Sequence, residues 1–435
     1  MTSRPTLSEI DYVSKHCLKD SIESKKSQIH RRTASLRLGA VALSLLLLLP
    51  VAYATTIDLT VTTFTSPYPQ TGGLFGASVA VSGTRLIVGA PTETVAGLPL
   101  AGHVYIFSNT GSLVATLASP NPQTAGGFGW SVAVSGNSLV VGAIGEAAGG
   151  FAGAGHIYVF DDAGSLMTTL TSPNPQAGGD FGLSVAVRGN NVVVGSPGEA
   201  AGGFAAAGHV YVFDDAGSLM TTLTSPNPQT AGDFGFGAAV SGDIVIVGSP
   251  GEAAGGFARA GHAYVFSNTG SLDANLASPN SQNGGFFGAS VAVSGKSVVV
   301  GAFGEAVGGF ARAGHAYTFS NTGSLIATLT SPIPQTDGLF GNSVAVMGVS
   351  VLAGAPQETA RGVDFGGQAY IFSNRGPFVA TLTSPNSRVG GFFGGSVAVS
   401  GNSVVVGASG EASGGFAGAG HAYLFALSAA STTPT

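Results

Sequence analysis

The sequence predicts an all-β protein: a seven-bladed β-propeller of four-stranded blades, closed by an N-terminal strand. Three observations predict it. The dipeptide Phe-Gly recurs at Phe75, Phe128, Phe181, Phe234, Phe287, Phe340 and Phe393, always 53 residues apart, and a fixed period of this length marks a repeat architecture. Composition suits many short strands and turns, with 69 Gly in 435 residues, 44% hydrophobic and 9% charged, and nothing after residue 54 is patterned as a long amphipathic helix. Finally, the last unit lacks its fourth strand, and a segment that matches it stands at the other end of the array.

The first element is a leader. Residues 1–37 carry eight basic and four acidic residues, an apolar run follows from Leu38 to Leu49, Pro50 ends it, and Ala52-Tyr53-Ala54 has the small-x-small form of a cleavage site. This order reads as a secretory signal peptide over residues 1–54. An uncleaved anchor is the alternative, although a span needs about 20 apolar residues. Cys17, the one cysteine, lies in the leader, so no disulfide is expected after cleavage. The remaining chain keeps eight basic and eighteen acidic residues, a net charge of −10, with Lys296 its only lysine. Such a surface repels nucleic acid and anionic membranes. Membrane contact is expected only through the leader, if it stays in place.

The array fills residues 55–427, with a disordered tail over 428–435. One unit, from Phe181 to Asp233, reads as SVAV, a tight Gly-Asn turn, VVVGS, a loop of a dozen residues, HVYVF, a DDAGS turn, LMTTLT and a connection SPNPQTAGD. Continuous Val runs imply strands buried on both faces, and the Gly-Asn and Asn-Thr-Gly pairs are hairpin signals. Four short strands repeated seven times form the pattern of propeller blades, and 53 residues is too long for a solenoid coil. The missing fourth strand of the last unit is supplied by Ile57–Pro67, where Phe64 stands 53 residues before Leu117. Pairing it with His421–Phe425 removes the edge that an open ring leaves exposed.

The unit resembles the FG-GAP repeat of the integrin alpha-chain propeller. The residues that carry the likeness are Phe75-Gly76, Val88-Gly89-Ala90-Pro91 and Gly102-His103-Val104-Tyr105-Ile106-Phe107, with later copies at Val194–Pro197, Val247–Pro250, Ala353–Pro356 and Val406–Ser409. It covers residues 57–425. The resemblance implies a propeller whose ligand face carries the second loops and the inter-blade connections. Many members of the family also hold calcium between the first two strands. Here that connection is only two residues, as in Gly83-Thr84 and Gly136-Asn137, too short to supply six to eight oxygens. Calcium binding is therefore not expected.

Two rings of polar residues follow the same period. Glu93, Glu146, Glu199, Glu252, Glu305, Glu358 and Glu411 open the long loops; His103, His156, His209, His262, His315 and His421 close them, with Gln368 in the sixth unit. Histidine with carboxylate suits a transition metal, but His103, Tyr105 and Phe107 share one strand face. Repetition in every blade favours a structural hydrogen bond. No nucleophile stands beside a base, and no G-x-S-x-G or H-E-x-x-H motif occurs. The Gly-rich loops join strands and do not open helices, so they are not phosphate cradles. No enzyme and no cofactor are expected.

The repeats differ most on the loop-bearing face. After Phe-Gly stand Trp130 and Phe236, and the second loop carries Arg259 and Arg312 where other units have Gly153, Ala206 and Gly418. Aromatic and Arg side chains dominate interface energetics. These four residues are the candidate ligand face of a secreted, periplasmic or cell-surface adhesion module that binds a protein or glycan of the cell surface or extracellular matrix. The alternative is an architectural coat or matrix protein without a discrete ligand.

Overall fold

The computed structural model describes residues 58–428. Each unit starts where Phe-Gly brings the chain against the preceding blade. Phe75 is fully buried and bridges to Gly420. Gly76 takes φ 89°, and a Cβ on it would lie 2.3 Å from the carbonyl oxygen of His421, so only glycine fits the approach. The first blade then runs β2 (Ser78–Ser82), β3 (Arg85–Ala90), β4 (His103–Ser108) and β5 (Leu113–Ala118), paired antiparallel in that order. Gly83, at φ 57°, takes the first place of the two-residue turn into β3, a place where the strand-matched hairpin turn requires positive φ. The second strands are the apolar centre of each blade; in β3 every residue after Arg85 is buried.

Seven such four-stranded sheets are present among the described residues. The seventh is closed as the sequence predicts. Strand β1 (Asp58–Phe64) pairs antiparallel with His421–Ser428, Phe64 opposite Ala422 and Asp58 opposite Ser428. In the other six blades the pairing of the third and outer strands slips once, for example between Ile106 and Phe107. The seventh has no turn joining those two strands, and its register runs unbroken. Ser428 continues the last strand, where the sequence suggested the start of a tail. The expected leader over residues 1–54 and the tail beyond Ser428 lie outside the described residues.

The core sits between blades. Seven hydrophobic clusters each join two neighbours, and one unites Phe64, Val405 and Leu424 of the seventh blade with Phe75, Val88 and Tyr105 of the first. Tyr105 and Phe107 therefore do pack toward the neighbouring blade. First strands of adjacent blades touch around the whole ring, which places them nearest the axis. Strand alternation then puts the long second loops and the inter-blade connections on one face, and the short turns on the other.

Candidate functional site

The Glu ring lies inside the loop-bearing face, and all seven carboxylates are fully buried. In the first blade Glu93 accepts a hydrogen bond from Ser66 at Oε1, 2.5 Å, and from the Tyr105 hydroxyl at Oε2, 2.5 Å. His103 Nδ1 stands 2.8 Å from the same Oε2. Ser66 follows β1, so this cluster fastens the seventh blade's outer strand to the first blade. Ser–Glu and Tyr–Glu bonds repeat in blades 2, 3, 4, 5 and 7. In those blades the His Nδ1 atoms lie 2.8 to 3.1 Å from Oε2, close but poorly aligned for a hydrogen bond. Burial, with the adjacent carboxylate, pushes the tyrosine hydroxyls far above their ordinary range and keeps them donors. Among the described residues no group of three His, Cys, Asp or Glu side chains is placed to hold a metal.

The sixth blade breaks the ring. Gln368 replaces His and donates to the Thr359 carbonyl at 3.3 Å. Tyr370 donates to Glu358 Oε2 and Ser331 to the Tyr370 hydroxyl, as the equivalent serines do in other blades. Ser331 does not, however, make the well-aligned bond to Oε1 found in the other six. Burial pushes the Glu358 carboxyl up to about 7.

The four candidate ligand residues do not converge on one point. Trp130 is half-buried at a bulge in the strand Phe128–Ser135, and Phe236 is 42% exposed at the equivalent position two blades on. Asn342 at that same position donates to Gly395 O of the next blade, 3.4 Å away, which sets these residues on the inner rim. Arg259 and Arg312 stand in the long loops of blades 4 and 5, both at φ near 50° (52° and 51°). Arg259 is exposed, while Arg312 lies 3.5 Å from Asp337. Leu100 and Phe365 occupy the same place in blades 1 and 6 with the same positive φ. Arg259 and Arg312 thus bring the only charge to this position, which holds Gly153, Ala206 and Gly418 in three other units and the large apolar Leu100 and Phe365 in two.

A site that the sequence reading missed lies between blades 6 and 7. In six connections a Gln side chain clamps the backbone of the residue after the ring Glu, as Gln70 does for the N–H and C=O of Thr94 at 2.8 and 3.2 Å. Gln123, Gln176, Gln229, Gln282 and Gln335 repeat this. Arg388 takes the seventh place. The clamp is absent at Ala412, and an open groove of about 500 Å³ lies there, lined by Val363, Ser387, Arg388, Val389 and Ala412. Val389 is 73% exposed, and Ser387 Oγ is buried without a partner. The signal was available as one break in a period of six glutamines. All four basic residues of this face, Arg259, Arg312, Arg361 and Arg388, belong to blades 4 to 6 and the connection that follows.

Fold and face together define a closed seven-bladed propeller whose loop-bearing face carries a groove where the glutamine clamp is interrupted. The family model for the FG-GAP repeat matches residues 63–107, 112–160, 165–213, 271–319 and 378–425, more than half of the sequence, and the chain belongs to the FG-GAP repeat family. No curated protein matches it. Among solved structures the chain is similar to that described as the crystal structure of BamB from Moraxella catarrhalis, at 12% identity, with 81% of this chain and 83% of that chain covered and a TM-score of 0.42.

Proposed function

We propose that the protein is a secreted or cell-surface interaction module that binds a protein or glycan, without catalysis, on its loop-bearing face. The observation that carries this reading is the groove at Arg388. The cores repeat faithfully in every blade, yet here one substitution removes a clamp and leaves a concavity of about 500 Å³ beside exposed Val389. That volume lies within the range of ligand sites, roughly 300–1,000 Å³. Arg388 itself lines the groove, and a guanidinium there suits a polar or acidic partner. The export reading rests on residues 1–54.

Arrays of glycans and surface proteins, probed with the whole chain, test the proposal. Arg388→Gln restores the clamp of the other units, so it should reduce binding about tenfold or more while the melting temperature holds or rises. The pair Arg259→Ala with Arg312→Ala should weaken the same binding. Unchanged binding by both variants places the site elsewhere.

A specific observation also favours the architectural reading. The outer strands expose Leu113 and Val114, Leu166 and Met167, and Leu325 and Ile326, each between 44% and 50%. Uncharged, exposed edge strands of this kind favour association. Concentration-dependent assembly in sedimentation, with no array ligand, would select it.

A further inference from the structure

The short-turn face carries a second groove, of about 350 Å³, between blades 5 and 6. Two cations line it. Lys296 comes from the first turn of blade 5, and Arg375 from the second turn of blade 6. Across the units the Lys296 position holds Thr84, Asn137, Asn190, Asp243, Val349 and Asn402, and the Arg375 position holds Thr110, Ala163, Ala216, Thr269 and Thr322. Only here do cations stand at both. Neither makes an ion pair among the described residues, and no carboxylate lines the groove.

The equivalent groove between blades 1 and 2 shows what this geometry does when both charges are built in. There Arg85 donates to the Asp162 carboxylate at 2.7 Å and also to the Asp162 carbonyl. By the repeat, Asp162 corresponds to Asn374 and Arg85 to Ser297. In the fifth groove the acid is therefore gone, while positive charge has been added on both sides. The surroundings are polar and held in place. Thr318, fully buried, donates to the Asn374 carbonyl at 2.9 Å and so fixes the turn that presents Arg375. Ser297 is 8% exposed, and its Oγ has no hydrogen-bond partner. Buried hydroxyls are rarely left unpaired without a reason. Ile326, 44% exposed, forms one apolar wall.

We propose that this groove binds an oxyanion (sulfate, phosphate or carboxylate), either free or carried on a sugar-sized molecule. The anion takes the place that the Asp162 carboxylate holds between blades 1 and 2. The Arg375 guanidinium supplies a planar fork of donors and Lys296 a point charge. Ser297 and Asn374 offer further hydrogen bonds, and Ile326 offers a surface for the face of a ring. The negative net charge of the chain disfavours long polyanions, so a single anionic group is the match.

Titration calorimetry on the whole chain, with ionic strength held constant by chloride, provides the test. The probes are inorganic sulfate, inorganic phosphate, glucuronate and glucose 6-sulfate. At least one should bind saturably at one site per chain, and Lys296→Gln with Arg375→Gln should weaken it tenfold or more at an unchanged melting temperature. Arg188→Gln, which removes an exposed cation of the same face in blade 3, should leave affinity unchanged. Tighter binding of the sugar-borne probes assigns a sugar ligand, and equal binding assigns the free anion. No saturable binding by any probe, equal binding by the double variant, or an equal loss in Arg188→Gln overturns the proposal.

Discussion

Glu358 is the ring carboxylate with no histidine opposite it, and its behaviour follows from what surrounds it. Burial raises its carboxyl from 4.5 to about 7, because no full set of donors compensates the lost hydration. The folded protein then holds a proton that the unfolded chain releases between these two values. Stability on this account is fully present below pH 4.5 and is lost as pH rises through 7, by on the order of 3 kcal/mol. Glu358→Gln removes the charge and the cost together. The variant should melt several degrees above the parent at pH 8, and the difference should shrink toward zero near pH 4.5. Equal gains at both values would mean that the carboxyl is not the titrating group.

The belt formed by the first strands shows the same logic at the scale of the element. In six blades a serine early in the first strand donates to a glycine carbonyl of the next blade, as Ser78 does to Gly129 at 2.8 Å and Ser396 to Gly76 at 2.8 Å. Blade 4 has Gly237 in that place, so this link is missing. A Cβ on Gly237 would lie 3.2 Å from the Gly288 carbonyl, a tight but workable approach, since the other six blades accept serine there. Gly237→Ser should therefore stabilise the ring by about 1 kcal/mol through the added bond and the stiffer unfolded chain. A lower melting temperature would show that blade 4 has closed more tightly than its sisters. The elements themselves were legible in the sequence, because Phe-Gly, the Val runs and the Gly turns report local backbone demands that one unit states in full. The grooves were not. Each is built by two blades, and its residues look like ordinary turn residues within their own unit. Arg388 is visible only as a broken glutamine period, and Lys296 with Arg375 only once the fold sets neighbouring turns side by side. The Glu and His rings were legible as repeats, but the serine that completes each cluster comes from the incoming connection and was not read.

At the scale of the whole molecule, closure decides how the ring comes apart. A linear array of repeats unfolds piecemeal, since each unit depends only on its neighbours. In this ring every blade has two packed neighbours, because β1 and Ser66 join the seventh blade to the first through Phe64 and Glu93. The intact protein should then unfold in one transition. Trp130, the single tryptophan, lies in blade 2 and reports that region alone, while far-ultraviolet circular dichroism reports all blades. The two melting curves should coincide for the intact chain, the usual sign of two-state unfolding. Deleting residues 55–66 removes β1 and the Ser66 hydroxyl. It exposes the edge of His421–Ser428, and loses the burial of Phe64, worth about 3 kcal/mol or more. Blade 7 should then melt first, so that circular dichroism changes at a lower temperature than Trp130 fluorescence, and the exposed edge should promote aggregation. If the two signals still coincide in the deletion variant, at the parent's temperature, the closing strand contributes nothing to cooperativity and the ring is held by its inner belt of first strands.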